Sequence, residues 1–154
     1  MSTVYVEDLA VGDTIPRWTR ETHLEHWNRF AAVNDEFVDI HMDDEAGRAA
    51  LNEPGAFGMG NLRYSYLFNA LRRWLGDNAD IREVGCQFRA INQKNDELTV
   101  TGTITDVAVV DGEYRVTLQM DVVNQDGKST CPARAVVVVP SRSPSVQETS
   151  PRDN

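Results

Sequence analysis

Near residue 80 the chain changes its hydrophobic period, and this change restricts the fold more than any other feature of the sequence. Residues 62–75, LRYSYLFNALRRWL, carry apolar side chains around most of a helix, among them Leu62, Tyr66, Leu67, Leu71 and Leu75. A helix so apolar has to be covered on more than one side. Beyond residue 80 the pattern alternates apolar and polar, the two-residue period of a strand. Tyr114, Val116, Leu118, Met120 and Val122 share one face there, and Arg115, Thr117, Gln119 and Asp121 the other. Four strands are predicted, over 81–91, 97–110, 113–125 and 130–139. Asp111-Gly112 and Asp126-Gly127 are hairpin turns between them. The run from Ala135 to Val139 is too continuously apolar for a solvated edge, which puts it inside the sheet. The class that follows is α+β, an antiparallel sheet of four or five strands wrapped around one long helix.

Upstream, Val4-Tyr5-Val6 reads as a short extended piece. Thr22 with Glu25 has capping-box spacing for a first helix running to about Val33. Leu24, Trp27, Phe30 and Ala31 would share its buried face. Residues 35–42 read as an irregular loop, and Asp43-Asp44-Glu45 opens a short helix from Glu45 to Leu51. Asn61 is the expected cap of the long helix, and Gly76-Asp77-Asn78 its stop. One domain over 1–141 is expected, with 142–154 a flexible polar tail.

At 154 residues the chain can bury a real core, and a net charge of −9 supplies no basic field for a polyanion. Neither nucleic-acid nor membrane partners are expected. The N-terminus lacks a secretion signal and no stretch is apolar enough to span a bilayer, so the expected residence is cytoplasmic. Cys86 and Cys131 stand 45 residues apart in strand-like sequence and read as buried free thiols.

The densest chemistry surrounds His41, with Asp35, Glu36, Asp39, Asp43, Asp44 and Glu45 close by. A carboxylate and an imidazole on one pocket can add water across a double bond, one group activating the water and the other handling the second proton. The competing reading makes His41 a helix cap or the partner of a backbone group. Metal binding is not expected, because contiguous acids on a helix point apart and no HExxH spacing occurs. His23 and His26 read as solvated helix residues. Gly55, Gly58 and Gly60 precede the long helix, whose free N–H groups can hold an oxyanion or a phosphate. A turn needing positive φ explains the same glycines. Arg72, Arg73, Arg82 and Arg89 are either phosphate contacts at a pocket mouth or solvated side chains.

Residues 28–76 resemble the hydratase motif of the MaoC-like enzymes, the hot-dog-fold group of (R)-specific enoyl-CoA hydratases and related dehydratases. The phrase from Asn34 to Asp43, NDEFVDIHMD, matches the motif's histidine with His41 and the acid two residues later with Asp43. Phe57-Gly58-Met59-Gly60 falls where the family opens its central helix. The family's aspartate lies five residues before the histidine; here that position is Glu36 and Asp35 is six back. "Asn-Asp" directly after a helix resembles the family's "Gly-Asp", which favours Asp35, with Glu36 the alternative. Two further departures are Asp39 where a proline is usual and, at the helix opening, the lack of a histidine before the glycine, whether Gly58 or Gly60 takes the family glycine's place. Trp74-Leu75-Gly76 is similar to members acting on bulky acyl-CoA substrates, often as two-component assemblies.

The resemblance implies reversible hydration of a 2-enoyl-CoA thioester by an Asp/His pair, with no cofactor beyond the coenzyme A of the substrate. It assigns Asp35 (or Glu36) and His41 to proton transfer, and the N–H groups of Gly58 and Gly60 to the thioester oxygen. Phe57, Leu62, Tyr66 and Arg89 would contact substrate. A homodimer or higher homo-oligomer is implied, with a heteromeric partner as an option. Two other readings stand beside it: a catalytically silent acyl-CoA-binding subunit, and a hot-dog thioesterase. The latter requires an acid on the central helix, and residues 62–75 contain none.

Overall fold

A computed structural model describes residues 3–143; most of the expected tail, 144–154, lies outside the described residues. Five strands form one antiparallel sheet: β1 (Trp18–Glu21), β2 (Asp80–Cys86), β3 (Glu97–Val110), β4 (Glu113–Val123) and β5 (Ala133–Val139). Their order is β1-β3-β4-β5-β2, so the valine-rich β5 is interior, as its composition requires. The β3–β4 turn has φ of 53° at Asp111 and 78° at Gly112, the two left-handed residues of a twist-matched hairpin. Register irregularities at Ile104/Asp106 and Ile81/Glu83 add local bend to the sheet.

The concave face of that sheet holds α4 (Gly60–Leu75), a helix of 16 residues. Leu67, Leu71 and Leu75 are fully buried against Val100, Ile104, Val116, Leu118, Met120 and Val137. Each such aliphatic side chain contributes about 1.5–3 kcal/mol by leaving water. The Tyr64 hydroxyl donates to the Val84 carbonyl at 2.8 Å and ties α4 to β2. Three further helices lie before α4: α1 (Leu24–Asn34), the single turn α2 (Asp39–Met42) and α3 (Asp44–Leu51). Trp27 and Ala31 anchor α1 in the core, whereas Leu24 stays largely outside it. No helix of the described residues is long and apolar enough to cross a membrane.

Several local expectations are corrected. The fifth strand of the four or five expected is β1, which the sequence does not locate: it is four residues long and pairs with β3 from Trp18↔Val100 to Glu21↔Glu97. Thr22 does not cap α1; its buried hydroxyl donates to the Asp96 carbonyl at 3.0 Å. His23 holds the cap position, and the His26 Nδ1 accepts from its N–H at 3.1 Å. The two imidazoles stack, half-buried, so they are not simply solvated. Residues 6–8 form a 3-10 turn, and α2 occupies what the sequence reads as loop. The second and fifth strands are shorter than predicted, the paired ladder stopping at Cys86↔Ala133. Pro132, next along, has no N–H to donate and only accepts, from Gln87 at 3.0 Å. Arg142 belongs to the folded unit, since its guanidinium pairs with Asp8.

Gly55, Gly58 and Gly60 have ordinary negative-side or extended backbone, with no positive φ among them. They are required for space. A Cβ on Gly58 would lie 2.2–2.5 Å from the buried Asn92 side chain, and one on Gly60 would meet the Phe88 ring at 2.8–3.0 Å. One on Gly55 would strike the Asp44 carboxylate at 2.5 Å. That carboxylate fixes the break before α4, accepting from Ala56 N–H at 2.9 Å and from Lys94 Nζ at 2.6 Å. The Lys94 hydrogen bond, then the Ala56 N–H, hold its pKa below the ordinary value of 3.8.

Two outcomes are expected. Gly58→Ala should lower stability to urea by about 1–3 kcal/mol, the range for overpacking a filled interior; an unchanged midpoint would contradict the Asn92 contact. Because the folded-state pKa of Asp44 is depressed, its contribution is present above pH 3.8 and fades as pH falls through the lower folded value. Asp44→Asn should therefore be less stable than wild type at pH 7, with the two denaturation midpoints converging below pH 3.8.

Candidate active site

The helix start of α4 collects most of the residues singled out by sequence. Its cap position is Met59 and no side chain caps it, so the first-turn N–H groups have no partner within the helix. Gly58 N–H is already engaged by the Asn92 carbonyl at 2.8 Å, and Phe57 N–H by the Ile40 carbonyl at 3.2 Å. Gly60 is the first helical residue, so the donors the helix leaves over begin there. Asn61 is not the cap either. From the first turn its Nδ2 reaches the Glu36 carboxylate at 3.3 and 3.4 Å.

Asp35 and Glu36 differ in setting. Asp35 ends α1 in the left-handed region, φ 53°, with an exposed side chain. Glu36 is half-buried and held by Asn61. Both line one cavity of about 740 Å³ between α1 and α4, together with Phe30, Asn34, Tyr64 and Ser65. His41 is buried on α2, and its Nδ1 lies 2.8 Å from the Phe57 carbonyl oxygen. A carbonyl only accepts, so Nδ1 carries a proton, and the tautomer with its lone pair on Nε2 is the one this contact selects. The Phe57 ring meets the imidazole edge-on at 5.4 Å between centroids. His41 does not line the cavity of the two acids.

Two of the other acids around His41 are taken up in structural work. Asp43 caps α3 by accepting from Ala46 N–H at 2.8 Å, Asp44 holds the break before α4, and Asp39 sits exposed in the first turn of α2. Leu62 and Tyr66 line a second cavity, of about 540 Å³, on the other flank of α1. Burial raises the Tyr66 phenol above its usual pKa, keeping it neutral. Arg89 lies elsewhere, with Glu53, Gln93 and Lys128, and pairs with Gln87. Arg82 is committed to Glu113 at 2.5 Å. Cys86 and Cys131 are free thiols; burial, then hydrogen bonding to Cys86, pushes the Cys131 thiol up to about 12, a value that leaves it unreactive.

Three residues escaped the sequence reading. Asn61 was assigned to capping by type alone. Asn92 falls between the predicted strands 81–91 and 97–110, yet is 1% exposed and presents its carbonyl to Gly58. Arg63, 4% exposed, sends Nη1 to the Ala90 and Thr130 carbonyls and packs its guanidinium over Phe88 at 5.4 Å. Its place in the first turn, apart from Arg72 and Arg73 in the last, is the only signal that Arg63 gives.

No protein-family model matches the chain, and no curated protein matches it in sequence. Solved structures do match. The R-hydratase PhaJ1 of Pseudomonas aeruginosa is similar at TM-score 0.80 and 19% identity, over 99% of this chain and 96% of that one. The MaoC-like dehydratase of Rhodospirillum rubrum is similar at TM-score 0.78 and 25% identity, over 91% and 99% of the two chains. The ChsH1-ChsH2 complex of Mycobacterium tuberculosis matches at TM-score 0.72 and 21% identity, over 84% and 98%. A curled five-stranded antiparallel sheet around a long central helix is the hot-dog fold, and it is this fold that the chain shares with the R-hydratase and the MaoC-like dehydratase.

Proposed function

We propose that the chain hydrates a trans-2-enoyl-CoA thioester reversibly. The reading is carried by Glu36, a half-buried carboxylate held by Asn61 at the open start of the central helix, on the wall of a cavity. The likeness to an R-hydratase and a MaoC-like dehydratase supports the same chemistry. In the proposed reaction the thioester oxygen lies at the first-turn N–H groups of α4, from Gly60 onward. Negative charge develops on that oxygen as hydroxyl adds to the β carbon, and the amides and helix dipole stabilise it there. One of Glu36 and His41 takes the proton from water, and the other protonates the α carbon as the enolate collapses. The Nε2 lone pair of His41 suits the uptake of the proton from water, since Nδ1 is held by the Phe57 carbonyl, and this leaves Glu36, as the carboxylic acid, to protonate the α carbon.

Asp35 has the matching residue type, but its exposed left-handed cap position recommends Glu36 as the acid of the pair. The thioesterase reading loses ground, because α4 carries no carboxylate. The silent-subunit reading keeps one observation in its favour: His41 does not line the cavity of the acids. The similar ChsH1-ChsH2 structure is a complex, so association of this chain with a second, different one has a counterpart among its structural neighbours. We also infer self-association as a dimer at least, since β1 and β2 are both open edges of the sheet.

Loss of enoyl absorbance with crotonyl-CoA and longer analogues tests the activity. Glu36→Gln and His41→Ala should each lower kcat by about 10²–10⁴-fold, with Asp35→Asn far less affected. Loss confined to Asp35→Asn would transfer the role to Asp35. Wild type inert at every chain length, with or without a partner chain, would remove the hydratase reading.

A further inference from the structure

The two cavities flanking α1 are parts of one groove. They share Phe30 and Asn34 of α1 and Ser65 and Asn69 of α4. The first holds the acids, so a thioester positioned there directs its acyl group across Ser65 and Asn69 into the second. The floor of the second is apolar, built by Leu62, Tyr66 and Trp18, with the two aromatic rings edge to face at 5.2 Å. Its rim is cationic. Arg20 and Arg29 both line it, and neither forms an ion pair among the described residues. Arg20 lies over the Trp18 ring, 5.0 Å from its centroid, which keeps the guanidinium at the mouth of the apolar floor.

Arg82, Arg115, Arg134 and Arg142 each meet an acid, whereas Arg20 and Arg29 are exposed and meet none among the described residues. The one carboxylate on this cavity, Glu21, is taken by the His23 Nε2 at 3.1 Å. His26, also on the rim, faces Glu25 at 3.8 Å. What remains is an apolar trough ending in two guanidinium groups with free donors. A methyl-ended acyl chain would leave both without a counter-charge, whereas a carboxylate matches the planar fork of an arginine.

Resting on the hydratase reading for the position of the thioester, we propose that the acyl group of the substrate ends in a carboxylate, received by Arg20 and Arg29. The substrate class is then the coenzyme A half-thioester of a dicarboxylic acid. The charge-assisted hydrogen bonds fix the distal end of the acyl chain, and the length of the groove between Glu36 and Arg29 selects the chain length.

Binding can be measured without turnover, using saturated thioesters that cannot be hydrated. Calorimetry would compare methyl-ended acyl-CoAs of four to eight carbons with the carboxylate-ended CoA half-thioesters of equal length. At one length or more the carboxylate-ended ligand should bind about tenfold tighter. That ratio should collapse towards one in Arg20→Gln/Arg29→Gln, while Arg29→Lys, which keeps the charge, should retain part of it. Equal affinity for both end groups in wild type overturns the proposal, as does absence of binding by either. A double variant that weakens both ligands alike overturns it too, because the arginines would then be holding the phosphates of coenzyme A. Crotonyl-CoA turnover is read separately, so failure of the hydratase reading is distinguishable from failure of this one.

Discussion

A buried helix cannot leave its first N–H groups without partners, and α4 enters the sheet with no side-chain cap and no acid in its first turn. Everything nearby is arranged around that open positive end. The break at 54–60 approaches it from one side, and the segment 88–92 from the other, the two joined by the Gly58 N–H to Asn92 carbonyl bond. Arg63 secures the second segment from within the helix by donating to the Ala90 carbonyl. Because these ties use the Gly58 amide, the donors left over at the helix start begin at Gly60.

The same constraint explains the separation of structural from chemical acids. Carboxylates gathered near a helix start are drawn to N–H groups, and Asp43 and Asp44 are consumed in this way, at Ala46 and Ala56. Glu36 escapes because it lies beyond α1 and finds a side-chain amide instead. His41 belongs to both classes: one nitrogen is structural, bonded to the Phe57 carbonyl, and the other is left over. The two readings left open by sequence, a chemical histidine and one that bonds the backbone, therefore do not exclude each other.

Periodicity made the fold legible. The span of β3, Glu97–Val110, coincides with the predicted strand, and both faces of β4 were assigned from alternation alone. Short elements were not legible: β1 and α2 have four residues each, too few for a period to register, and both are set by contacts remote in sequence. At the site, residue type located the acids, His41 and the glycines, but not their use. The helix of Thr22 begins one residue later than its cap signal because Thr22 finds the Asp96 carbonyl, a partner that no local spacing announces. Asn61 and Asn92 show the same limit, since an asparagine's bond to a distant chain leaves no mark in the residues beside it.

The three glycines before α4 each yield their side-chain space to a different neighbour: Gly55 to Asp44, Gly58 to Asn92 and Gly60 to Phe88. Divergence at this spot is consequently coupled. A lineage that acquires a side chain at one of these positions has to shrink or redirect the residue opposite in the same step or pass through a poorly packed intermediate. Homologous chains should therefore vary here as matched pairs, 58 with 92 and 60 with 88, and the shape of the helix entrance should drift more slowly than the identities that form it.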